Sequence, residues 1–122
     1  MCAPPPQLNL VVLRSSNLER AVEFYHQLGI FFTRHAHGSG PDHYTSEVNG
    51  VVFEIYPMSA NSTATTGMRI GFKVDSVDKI VALLSQIGAT VVTPPSDSEW
   101  GRRAVVKDFD GHVVELITPK SR

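Results

Sequence analysis

The chain has 122 residues, a formal net charge of −1 and 42% hydrophobic content, which fits one compact domain or two small modules sharing a core. The near-neutral charge leaves no footprint for nucleic acid or an anionic membrane surface, and no apolar run approaches the ~20 residues of a membrane span. The lone Cys2 excludes a disulfide within the chain, and with no charged start leading into a long apolar segment a cytoplasmic protein is expected.

Residues 8–14, Leu-Asn-Leu-Val-Val-Leu-Arg, read as a buried strand. Asn17 supplies a helix N-cap, since its side chain can accept from a free backbone N–H of the first turn. Leu18, Ala21, Val22, Tyr25 and Leu28 then form one apolar stripe at helical spacing, and Gly29 suits the left-handed position that ends a helix. Strands are expected near 30–37, 42–48 and 51–57, with turns at Gly38-Ser39-Gly40-Pro41 and Asn49-Gly50. Residues 58–67 are small and polar and read as a linker. After it come a strand near 68–74, a helix near 76–87 and a short strand near 89–92. A loop over 93–99 and strands near 101–107 and 112–118, joined by Asp108-Phe109-Asp110-Gly111, complete the order.

This pattern occurs twice. An offset of 59 carries Asn17 onto Ser76, the first apolar stripe onto Val77, Ile80, Val81, Leu84 and Ile87, and Gly29 onto Gly88. An offset of 61 carries Glu54, in Val51-Val52-Phe53-Glu54-Ile55, onto Glu115, in Val113-Val114-Glu115-Leu116-Ile117. Each copy is a β-α-β-β-β module, one over 8–57 and the other over 68–118, so the fold class is α+β with two tandem modules. A tandem pair of this kind encloses a cleft, and residues facing it are the functional candidates.

Trp100-Gly101-Arg102, the run Asp108 through Leu116, and the Leu13–Tyr25 passage together resemble the vicinal oxygen chelate superfamily: glyoxalase I, the bleomycin-resistance proteins and the extradiol dioxygenases. The resemblance spans residues 8–118. It implies two curved sheets around a ligand cleft and a homodimer whose modules complete each cleft. Metal-dependent members of that family place ligands at four positions, which fall here on Leu10, Glu54, Arg69 and Glu115. Leucine has no donor atom and arginine stays protonated, so this is a degenerate metal site in which only the glutamates survive.

Strand alternation puts Leu10, Val12, Arg14, Glu54, Tyr56, Arg69, Lys73 and Glu115 on the cleft face, with Trp100 at its mouth, as the candidate ligand-binding set. Val11, Leu13, Val51, Phe53, Ile55, Ile70, Phe72, Val74, Val114 and Leu116 take the opposite, helix-covered face. Glu54 and Glu115 are either a catalytic acid–base pair or a relic of the metal site held by hydrogen bonds or ion pairs. Arg69 either grips an anionic ligand or pairs internally with a glutamate. If the four positions converge, two carboxylates ~5 Å apart repel by roughly 3 kcal/mol at an effective dielectric of ~20, so Arg69 is expected to pair with at least one. His35, His37 and His43 read as a solvated edge hairpin rather than a metal cluster, and His26 and His112 as surface residues. Trp100 is either a stacking group for ligand or a plug for the 93–99 loop.

The resulting expectation is metal-independent binding of a small organic molecule, as in the bleomycin-resistance type, by a homodimer with no cofactor. The alternative is a glyoxalase- or dioxygenase-like metal-dependent lyase, isomerase or oxidoreductase. Neither nucleic acid nor membrane is an expected partner.

Overall fold

A computed structural model describes residues 3–36, 38 and 40–120. The order is β1 (Leu10–Ser15), α1 (Leu18–His26), β2 (Thr33–His35), β3 (His43–Val48), β4 (Val51–Pro57), β5 (Arg69–Lys73), α2 (Val77–Gln86), β6 (Thr90–Ser98), β7 (Gly101–Lys107) and β8 (Val113–Pro119). These make two four-stranded sheets, β1-β4-β3-β2 and β5-β8-β7-β6, each with its first strand parallel to its last and the other pairings antiparallel. Among the described residues the two sheets are not joined by strand pairing. The β-α-β-β-β repeat read from the sequence is therefore present in both halves.

Both helices start as their caps dictate. The Asn17 side chain accepts from Arg20 N at 3.1 Å, and the Ser76 hydroxyl accepts from Lys79 N. The β3–β4 hairpin turns through Asn49 at φ 52° and Gly50 at φ 83°, the left-handed pair that a two-residue loop needs to match strand twist. Gly101 carries a tighter constraint: at φ 140°, an added Cβ would stand 2.2 Å from the Thr118 carbonyl oxygen.

Two elements depart from the expected boundaries. The strand expected over 30–37 is confined to β2, because Ile30 turns into the core and Phe32 packs against it. The loop expected over 93–99 is instead a continuation of β6 to Ser98. Pro94 and Pro95 are tolerated there because β6 is an edge strand, and its register with β7 shifts between Val91 and Thr93 and again between Thr93 and Ser96.

One core joins the two modules. Leu13, Phe24, Tyr25, Phe53 and Ile55 from the first pack in the same cluster as Val77, Leu84, Val106, Val114 and Leu116 from the second. Phe53 meets Phe72 at 5.9 Å between ring centroids, and Phe24 meets Phe109 at the same separation. The helix-bearing faces thus share the interior, as alternation predicted, and the opposite faces point away from it. Among the described residues no helix is long and apolar enough to cross a membrane.

Candidate functional site

Strand register fixes the equivalence of the two modules. Val12 lies opposite Glu54 in β1–β4, and Gly71 lies opposite Glu115 in β5–β8. Leu10 and Arg69 stand one alternation earlier on the same faces, so the four family positions occupy matching places on two separate sheets.

In the second sheet Glu115 is held from two sides. Arg103 Nε donates to Oε1 at 2.6 Å, and Arg69 donates from Nε at 3.2 Å and Nη2 at 3.0 Å to Oε2. The Arg103 bond foremost, then that of Arg69, holds the Glu115 carboxyl below its ordinary range, and the same carboxylate raises Arg103. Arg69 therefore pairs with a glutamate, as expected. Arg103 went unnoticed in the sequence, although the alternation Arg103, Val105, Lys107 on β7 puts it on the Glu115 face.

In the first sheet Glu54 has its own partners. Thr45 Oγ1 donates to Oε2 at 2.9 Å, and His43 Nε2 lies 3.6 Å from the same oxygen. His43 is 2% exposed, which corrects its reading as part of a solvated hairpin: its ring lies flat against Tyr56, 4.2 Å between centroids and 6° between planes. His35 stacks beyond it at 6.1 Å, and the Arg14 guanidinium lies 5.8 Å over the Tyr56 ring. The expectations for Cys2, His37 and Ser39 fall outside the described residues.

The four family positions do not suit a divalent ion. Leu10 offers no ligand atom, two guanidiniums already donate to both Glu115 oxygens, and a cation beside Arg69 and Arg103 meets like charge. Glu54 and Glu115 each take their hydrogen-bond partners from their own sheet.

The remaining candidates divide. Leu10 is 49% exposed, and Val12 is half-buried beside it on β1. Trp100 stands at the β6–β7 turn, 68% exposed. Lys73 is exposed and in register with Ile117 on the face of Arg69 and Gly71; from the edge strand β5, Gly71 and Lys73 also border a groove of about 410 Å3 whose other walls include Val11, Val51, Phe53, Ile70 and Phe72. Sequence alternation did not foresee this groove, since it forms where two modules meet.

A second polar cluster sits at the β7–β8 turn. Asp108 Oδ2 accepts from the Tyr25 hydroxyl at 2.6 Å and from His112 Nδ1 at 2.7 Å, and Oδ1 accepts from the backbone N–H groups of Asp110 and His112. His112 Nε2 lies 2.6 Å from Thr65 Oγ1, and that oxygen accepts from Arg14 N. Asp110 Oδ1 takes both the N–H and the hydroxyl of Ser16. His112 is 1% exposed, which corrects its reading as a surface residue. Asp108, Asp110 and His112 are close enough to suggest a cation cage. The Asp108 oxygens, the His112 ring and Asp110 Oδ1 are instead engaged in these bonds, which fasten module one and the linker to module two.

A family model described as the glyoxalase/bleomycin resistance protein/dioxygenase superfamily matches residues 7–116. An uncharacterized protein of Mycolicibacterium smegmatis is 26% identical over 116 residues, 95% of this chain and 97% of its own length. TnmS3, an antibiotic binding protein from Streptomyces sp. CB03234, superposes with a TM-score of 0.74 at 23% identity, covering 98% of this chain and 100% of its own. A glyoxalase-related enzyme from Fulvimarina pelagi superposes with a TM-score of 0.73 at 19% identity, covering 92% and 87%.

Proposed function

The chain belongs to the glyoxalase/bleomycin resistance protein/dioxygenase superfamily, and on that premise we propose that it binds a small organic molecule without a metal. The observation that carries this reading is the Arg69–Glu115–Arg103 group, which fills a family metal position with guanidinium. TnmS3, an antibiotic-binding relative in fold, supports a binding role. The faces that bear Glu54–Tyr56 and Arg69–Glu115 point away from the core. A homodimer in the cytoplasm, apposing such faces from two copies, completes the cleft and covers Leu10, Val12, Val52, Val113 and Ile117. Trp100 borders it.

A second reading, a metal-free enzyme in the glyoxalase manner, draws on one observation: buried His43 stands 3.6 Å from Glu54, a histidine–carboxylate pair. The test of the first reading is a fluorescence screen of small aromatic compounds on EDTA-treated protein, with zinc and nickel calorimetry and sedimentation velocity alongside. Binding that persists in EDTA, no tight metal uptake and a dimer at micromolar concentration are expected. Stoichiometric metal, or ligand binding lost in EDTA, would refute it.

A further inference from the structure

Glu115 consumes only part of what surrounds it. Arg103 uses Nε alone, and Arg69 uses Nε and Nη2. Among the described residues, Nη1 and Nη2 of Arg103 and Nη1 of Arg69 have no protein acceptor. Two guanidiniums on one carboxylate leave a net positive charge on an open sheet face, where Arg69 is 55% exposed and Arg103 30%.

Gly71 lies directly across from Glu115. Glycine weakens a strand interior, so its presence calls for a cause. Backbone conformation is not the cause, because Gly71 is absent from the positive-φ glycines. Crowding is not the cause either, since an added Cβ would meet only Glu115 atoms at 3.8 and 3.9 Å, ordinary contact distances. What the missing side chain does provide is a gap in the sheet surface next to Arg69, in register with Glu115. Its counterpart in module one is Val12, which leaves no such gap.

Building on the proposed ligand-binding role of this face, we infer that Gly71, Arg69 and Arg103 form an oxyanion subsite. A carboxylate, sulfonate or phosphate group of the ligand sits over Gly71 and accepts from the unused guanidinium N–H groups. Glu115 acts as the fixed counter-charge that orients both arginines and partly competes with the ligand. The family metal position is thus inverted in sign: a cation that would recruit ligand oxygens is replaced by guanidinium groups that bind an anionic one directly.

The competing role of Glu115 makes the test directional. The probes are 1-anilinonaphthalene-8-sulfonate and the neutral N-phenyl-1-naphthylamine, titrated by fluorescence, with circular dichroism melts to confirm that each variant folds. The sulfonate should bind wild type more tightly than the neutral probe, and added salt should weaken it. Arg103→Gln and Arg69→Gln should each weaken sulfonate binding about tenfold. Gly71→Val, favourable for a strand, should weaken it similarly by filling the gap. Glu115→Gln should tighten it severalfold. The ratio of sulfonate to neutral-probe affinity should fall in Arg103→Gln, Arg69→Gln and Gly71→Val and rise in Glu115→Gln. Neutral-probe binding with no gain from the sulfonate, or a Glu115→Gln variant that weakens it, overturns the subsite and leaves the ligand-binding role standing. Failure of both probes to bind wild type overturns both.

Discussion

Removing the Tyr25 hydroxyl tests whether the β7–β8 turn fastens the two modules together. Tyr25→Phe keeps the ring that meets Phe24, Phe53 and Phe72 and deletes only the 2.6 Å bond to Asp108 Oδ2. A buried hydrogen bond to a charged group contributes about 1.5–3 kcal/mol. An unfolding entropy of roughly 2.1 cal/mol/K per residue over a chain of this size gives about 0.26 kcal/mol/K, so the melting temperature should fall by about 6–12 °C. The comparison is made at one protein concentration, because self-association would shift both curves. The loss should also depend on pH. Burial alone would raise the Asp108 carboxyl, but bonds from His112 and Tyr25 outweigh it and hold it below the ordinary carboxylate range. A depressed carboxyl contributes stability above its unfolded value, and that contribution disappears as pH falls through the folded value. The gap between Tyr25→Phe and wild type should therefore be full at neutral pH and close as Asp108 protonates. Urea melts from pH 7 to pH 2.5 read this directly. A difference under ~0.5 kcal/mol at pH 7, or one unchanged in acid, would refute the account.

Tyr25 also sets an alkaline limit: burial first, then the Asp108 charge, raises its pKa well above 10.0, so the folded form holds a proton that the unfolded chain releases. Stability should decline as pH rises past 10, less so in Tyr25→Phe, as urea melts at pH 9–11 would show. Gly101→Ala should cost at least ~3 kcal/mol in a thermal melt, since its Cβ would strike the Thr118 carbonyl and its φ suits no other residue. Leu10→His with Arg69→His should still fail to take up zinc in calorimetry, because Arg103 stays bonded to Glu115. Adding Arg103→Gln frees that carboxylate, and uptake by the double variant would show that Arg103 is not the obstacle.

The fold was legible because a duplicated chain offers each signal twice. Caps at Asn17 and Ser76 and the 59-residue offset located both helices, and period-two alternation put Leu13, Phe53, Ile55, Val114 and Leu116 on the core face. Boundaries failed where tertiary placement decides them: an edge position lets Pro94 and Pro95 lie within a strand. The open site was half legible. Arg69 and Glu115 could be paired from family positions, whereas Arg103 reaches Glu115 diagonally from a neighbouring strand that the pattern of first and last strands leaves out. His43 and His112 were misjudged for one reason. Burial of a histidine depends on which hydroxyl or carboxylate the fold brings to its ring, and Thr65 and Glu54 come from other segments.

The two copies are not interchangeable, and the turn that follows the third strand of each shows why. Between β3 and β4 the first copy spends only Asn49 and Gly50, whereas between β7 and β8 the second runs from Asp108 to His112. The longer version is the one that reaches Tyr25, Ser16 and Thr65. Asymmetry has entered the repeat where the halves are stitched, so the pairing has a direction. A chain made of two first copies would keep its helices and sheets yet lose its fastening, while one made of two second copies would carry a spare latch with no catch opposite it.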